Sequence, residues 1–121
     1  MHSTTIILCL ALFFITDSSA TGASNTCNAY ANLPKWLSHI TFTGGYGEGC
    51  HQAVVIENAK NTAEGVAAEK NWIKTCYPSA QIKTKAVSHK DGKVYEVVEL
   101  TTGNNLTKQL CFDITKFFGS W

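Results

Sequence analysis

The residue pattern of this chain predicts a two-layer α+β domain. One helix packs on a mainly antiparallel sheet, in the order β-α-β-β-β, and disulfides stabilise it. Three observations predict it. A β-branched run, Val54-Val55-Ile56, precedes a capped helical stretch that stops at Tyr77-Pro78. Three extended segments follow, with alternating apolar side chains and turn signals between them. Cys27, Cys50, Cys76 and Cys111 are even in number and widely spaced, as a disulfide framework should be.

Residues 1–20 read as a secretory signal peptide. An apolar run over 6–15 leads to Ser18, Ser19 and Ala20, with Ser18 and Ala20 suiting the −3 and −1 positions of cleavage after Ala20. Ten apolar residues fall well short of the roughly 20 that a helix needs to span a bilayer. An n-region without Lys or Arg suits a eukaryotic signal better than a bacterial one. Secretion sends the cysteines to an oxidising compartment, where disulfides persist. The expected mature chain keeps eight acidic residues against ten lysines, a net charge of +2. That excess is too weak to imply a nucleic-acid or membrane partner. No arginine occurs anywhere, which argues against nucleases and phosphate-handling enzymes.

Residues 21–43 read as an N-terminal arm and a short strand. The stretch 21–32 is small and polar, with Cys27 as its tether. Leu33 and Trp36-Leu37 add apolar anchors, and Ile40 and Phe42 alternate as in a strand. The α+β domain proper is expected over 44–121. It opens on Gly44-Gly45-Tyr46-Gly47-Glu48-Gly49, which leads into an extended segment rather than a helix. A tight turn, not a phosphate cradle, is the consequence.

Residues 53–56 form the first buried strand. Asn61 and Glu64, three apart, cap a helix over 62–76, which Pro78 terminates. At 100° per residue Val66, Ile73 and Tyr77 share a face, with Trp72 and Cys76 beside it. Glu69 falls in or next to that stripe, so its carboxylate must be paired, at the rim or shifted in pKa. A second strand covers 81–88, and Lys90-Asp91-Gly92-Lys93 signals a hairpin. The third strand, 94–101, places Val94, Val98 and Leu100 on one face and Tyr95 and Val97 on the other. After a turn at Gly103-Asn104-Asn105, the fourth covers 106–115. Leu106, Leu110, Phe112 and Ile114 share one of its faces; Thr107, Gln109, Cys111 and Asp113 share the other. The expected core is Val54, Ile56, Val66, Ile73, Val98, Leu110, Phe112 and Ile114, with Phe117, Phe118 and Trp121 packing over an edge.

Two resemblances bear on these residues. The stretch from GGYGEG through AVVIENAKNTAEGVAAEKNWI to FDITKFFG is similar to a short domain of uncharacterised bacterial proteins. It covers 44–121 and implies no known activity; the cysteines and the secretion signal are not part of that pattern. A helix on an antiparallel sheet, four cysteines beyond the expected signal peptide and a tryptophan near the end also resemble the cystatin-type protease inhibitors. The chain departs from that family where its function resides. Gln81 is followed by Ile82-Lys83-Thr84-Lys85 instead of valine-glycine, Trp121 follows Ser120 rather than proline, and the cysteines are spread along the chain.

Three function classes follow. The first is a secreted binding or interaction module without catalysis, a monomer whose partner is an extracellular protein or ligand. The second is the cystatin-like inhibitor. The third is a small hydrolase using His51 with a carboxylate, Glu69 or Glu48; of His39, His51 and His89, only His51 lies beside the glycine loop. Glu96 and Glu99 have opposite strand parity and cannot act as a catalytic pair. No metal is expected, because there is no CxxC and the adjacent Cys50-His51 does not match ligand spacing. No cofactor is implied. Asn105-Leu106-Thr107 is a candidate glycosylation sequon in a turn.

The disulfide pairing is open among three arrangements. A strand rising from Cys50 and a helix returning over a similar length would bring Cys76 back to the level of Cys50. Cys111, facing away from the helix, is then left for Cys27. Cys50–Cys76 and Cys27–Cys111 are the expected pairs. Secretion has its own test: N-terminal sequencing of the secreted protein should begin at Thr21, and Met1 on the mature chain would refute the signal-peptide reading.

Overall fold

The computed structural model describes residues 27–121, so the expected signal peptide and cleavage site lie outside the described residues. The architecture is the α+β one, with one helix on a five-stranded, mainly antiparallel sheet and two disulfides. The strands are β1 (Thr41–Gly44), β2 (Val54–Glu57), β3 (Gln81–Lys90), β4 (Lys93–Thr101) and β5 (Thr107–Asp113). Helix α1 spans Thr62–Cys76. The spatial order is β1-β2-β5-β4-β3. β2 and β5 run parallel, with Val54 opposite Phe112; every other neighbour pair is antiparallel.

The helix begins where the sequence places it. Asn61 Oδ1 accepts the Glu64 N–H at 3.0 Å, satisfying one of the unpaired donors of the first turn. The reciprocal bond lands one residue early: Glu64 Oε1 accepts from the Lys60 N–H at 2.9 Å and pairs with His39 Nε2 at 2.7 Å. These donors hold the Glu64 carboxyl below its usual range, the Lys60 N–H contributing most. The C-terminal turn closes over the same end, since the Thr62 N–H donates to the Ser120 carbonyl at 2.7 Å. At the β3–β4 hairpin Asp91 and Gly92 both take positive φ, 52° and 77°, as a two-residue primed turn requires.

Ile56, Ala68, Trp72, Val98, Leu100, Leu110 and Phe112 form a continuous core between helix and sheet. Trp72 meets Phe112 edge-on, with ring centroids 5.4 Å apart. Residues of the arm belong to this core too: Ala29, Leu37 and Ile40 are buried, and Asn71 Nδ2 donates to the Asn32 carbonyl at 3.1 Å. Among the described residues no helix is long and apolar enough to cross a membrane.

Four expectations are corrected. The buried face of α1 is Gly65, Ala68, Glu69, Trp72 and Ile73, while Val66 is only half-buried. Gly65 sets this rotation, because the Phe117 ring lies against its Cα where any side chain would sit. Leu106 is 63% exposed, since β5 begins only at Thr107. Of the three terminal aromatics only Phe117 packs inward; Trp121 is 92% exposed and Phe118 nearly half so. The disulfides pair as Cys27–Cys76 and Cys50–Cys111. Matching levels along the strand was insufficient because the sheet stands between the partners. Cys76 ends the helix on one face, and Cys50 lies on the other, with Cys111. The arm runs along the helix side and therefore reaches Cys76 instead of the outer face.

A Gly65→Ala substitution tests the helix–tail contact. Alanine gains about 1 kcal/mol of helix propensity, but its methyl group overlaps a buried ring, an overpacking cost of about 1–3 kcal/mol. A lowered denaturation midpoint is expected; an unchanged or raised one would show that the ring is not seated there.

Candidate functional site

The helix covers one face of the sheet and leaves the other open. On that open face strand parity sets Val55 of β2, Asp113 and Cys111 of β5, and Tyr95 and Val97 of β4. The glycine loop folds back over part of it. The Gly45 N–H donates to the Ala53 carbonyl at 3.0 Å and the Gly47 N–H to the Gln52 carbonyl at 2.8 Å. The Cys111 N–H donates to the Gly47 carbonyl at 2.9 Å, so the loop occupies the edge of β5 that β2 is too short to cover. Gly44 has φ +79°, and a Cβ there would strike the Ala53 carbonyl, so only glycine lets the loop lie this close. The Cys50–Cys111 bond then fastens it to the central strand.

Loop and sheet border an open concavity of about 540 Å³, lined chiefly by Tyr46, His51, Gln52, Val55, Lys93, Tyr95 and Asp113. Asp113 is buried, and its Oδ1 accepts from the Thr115 N–H at 3.0 Å and the Thr115 hydroxyl at 2.6 Å. Its Oδ2 accepts no hydrogen bond among the described residues. Tyr95 lies directly opposite Asp113 in the β4–β5 register. Among the described residues Lys93 forms no ion pair with Asp113, and Thr115 alone holds that carboxylate.

No protein-family model, curated protein or solved structure matches this chain.

His51 reaches this concavity, but its two candidate carboxylates do not. Glu48 pairs with Lys108 at 3.2 Å. Glu69 lies across the sheet, fully buried under the helix. His39 pairs with the Glu64 carboxylate at the helix start, and His89 stacks edge-on against Phe118 at 5.8 Å. Among the described residues no cluster of three or more His, Cys, Asp or Glu could hold a metal ion. Asn105 is exposed in the turn before β5 with φ +62°. The reading of the sequence overlooked Tyr46, Tyr95, Lys93 and Asp113 as a group. The parity that put Asp113 with Cys111, and Tyr95 away from Val98, was the available signal.

Glu69 is the other unusual group. Lys85 Nζ of β3 stands 3.1 Å from Oε1, yet neither Glu69 oxygen has a hydrogen bond of good geometry. Glu96 of β4 faces the same space. Burial first, and the neighbouring Glu96 carboxyl second, push the Glu69 pKa up to about 8, against the partial opposition of Lys85.

A folded-state pKa above the unfolded one means the native protein binds the extra proton between the two values. Glu69 thus contributes stability that is complete below about pH 4.5 and is lost as pH rises through about 8. Glu69→Gln, which is neutral at every pH, should melt higher than the native protein at pH 8.5 and close to it at pH 5. Identical pH profiles for the two proteins would show that the carboxyl is not held protonated.

Proposed function

We propose that this chain is a secreted, disulfide-stabilised binding module without catalysis, and that it takes its ligand in the concavity on the open sheet face. The observation that carries this reading is the glycine loop cross-linked onto β5, which turns a flat sheet surface into a preformed, polar-lined hollow. Two disulfides in a domain of this size are compatible with an oxidising destination. Glu48 pairs with Lys108 and Glu69 lies beside Lys85, so neither carboxylate named for the hydrolase reading is held by His51. The sequon at Asn105 lies at the opposite end of β5 from Asp113, so a glycan there would leave the hollow open.

The double variant Cys50→Ala/Cys111→Ala separates fold from function. It keeps the helix-side disulfide and the core, at a stability cost of about 2–4 kcal/mol, but frees the loop that walls the hollow. Its circular dichroism should match that of the native protein, while capture of partners from the secreted fluid should be lost. Undiminished capture by the folded variant would contradict this reading.

A further inference from the structure

We infer that the open-face concavity takes a neutral, hydroxyl-rich ligand, a saccharide unit, with Asp113 as the acceptor at its floor and Tyr46 and Tyr95 as its aromatic surfaces. The inference rests on the proposed ligand site and adds the chemical class of what it binds.

Size sets the first limit. About 540 Å³ lies within the roughly 300–1,000 Å³ of small-ligand sites, enough for one or two sugar rings and too little for a folded partner. Charge sets the second. The lining holds one cation, Lys93, and one anion, Asp113, which do not pair with each other. An anionic ligand would face the Asp113 carboxylate, and a simple cation would pair with Asp113 but leave the Gln52 and Lys93 donors without an acceptor. A purely apolar ligand would dry the free Asp113 oxygen without giving it a donor, which is costly for a carboxylate.

A neutral ligand rich in hydroxyls meets these demands together. Thr115 holds one Asp113 oxygen with two hydrogen bonds, so the carboxylate is fixed and presents Oδ2 to a ligand O–H. Lys93, Gln52 and His51 supply groups that can donate to the ligand's own oxygens. The two tyrosine rings offer flat faces for the C–H side of a sugar ring. A free amino acid would also match Asp113 and Lys93. Lys93 is exposed and untethered, however, so its carboxylate would gain only a weak surface pair.

The test is a titration of the oxidised mature protein, followed by amide chemical shifts. The probes are methyl glycosides of glucose, galactose, mannose and N-acetylglucosamine with their β-linked disaccharides, run beside glycine, phenylalanine and ethanolamine. Saturable shifts confined to Tyr46, His51, Tyr95 and Asp113 with at least one saccharide are expected. Asp113→Asn keeps the Thr115 bonds and should weaken that binding about tenfold or more. Tyr46→Ala, on the loop outside the core, should weaken it as well. Shifts with the amino acids or the amine but no saccharide would overturn the ligand class. So would silence with every probe while capture still depends on the Cys50–Cys111 bond, which would leave the ligand-site reading standing. Capture that ignores that bond would remove the site itself.

Discussion

Phe112 and Cys111 are neighbours in β5, and between them they organise both sides of this protein. Phe112 points to the helix and receives Trp72 edge-on. Cys111 points the opposite way and holds the glycine loop through Cys50. Period-two alternation makes this division unavoidable once β5 is the central strand. It is central because β2 joins it in parallel and β4 in antiparallel, so its last four residues, Leu110 to Asp113, are all buried. A one-residue slip in its register would send Phe112 to the open face and Cys111 into the core, undoing helix packing and loop attachment together.

The two faces carry different kinds of polar group. Under the helix, Glu69 is a carboxyl whose pKa is raised by burial and by Glu96 of β4, with Lys85 of β3 opposing the shift. Outside, Asp113 lines the concavity, with one carboxylate oxygen engaged by Thr115 and the other without a hydrogen bond among the described residues. The first is a liability at high pH that removal relieves. The second is a placed acceptor. Glu57 and Glu64 behave in the ordinary way: Lys116 and Thr43 bond the one, and the Lys60 N–H and His39 the other, so both carboxyls are held low. They contribute stability above the usual carboxylate range that is lost as pH falls, opposite in sign to Glu69.

Local signals made most of the fold legible. Asn61 and Pro78 bracket the helix at Thr62–Cys76, Asp91-Gly92 turns the hairpin, and alternation sorts β4 and β5 into faces. What escaped was long-range. Nothing local says that β2 lies beside β5, and without that neighbour Cys50 and Cys111 do not meet. The helix face was read from Val66, Ile73 and Tyr77, but Phe117, 52 residues beyond Gly65, decides which side turns inward. Glu69 was found because its spacing set it in the apolar stripe; its complete burial depends on β3 and β4 closing over it. For the candidate site, His51 stood out by its chemistry, whereas Tyr95 and Asp113 needed the strand register to become neighbours.

The sheet separates the two disulfides, one on each face. Peptide mapping of the oxidised, non-reduced protein tests that most directly. Proteolytic fragments joined as Cys27 with Cys76 and as Cys50 with Cys111 are the expected result. A fragment joining Cys50 to Cys76 would place both on the helix side of the sheet, free the glycine loop from β5, and contradict the two-faced arrangement.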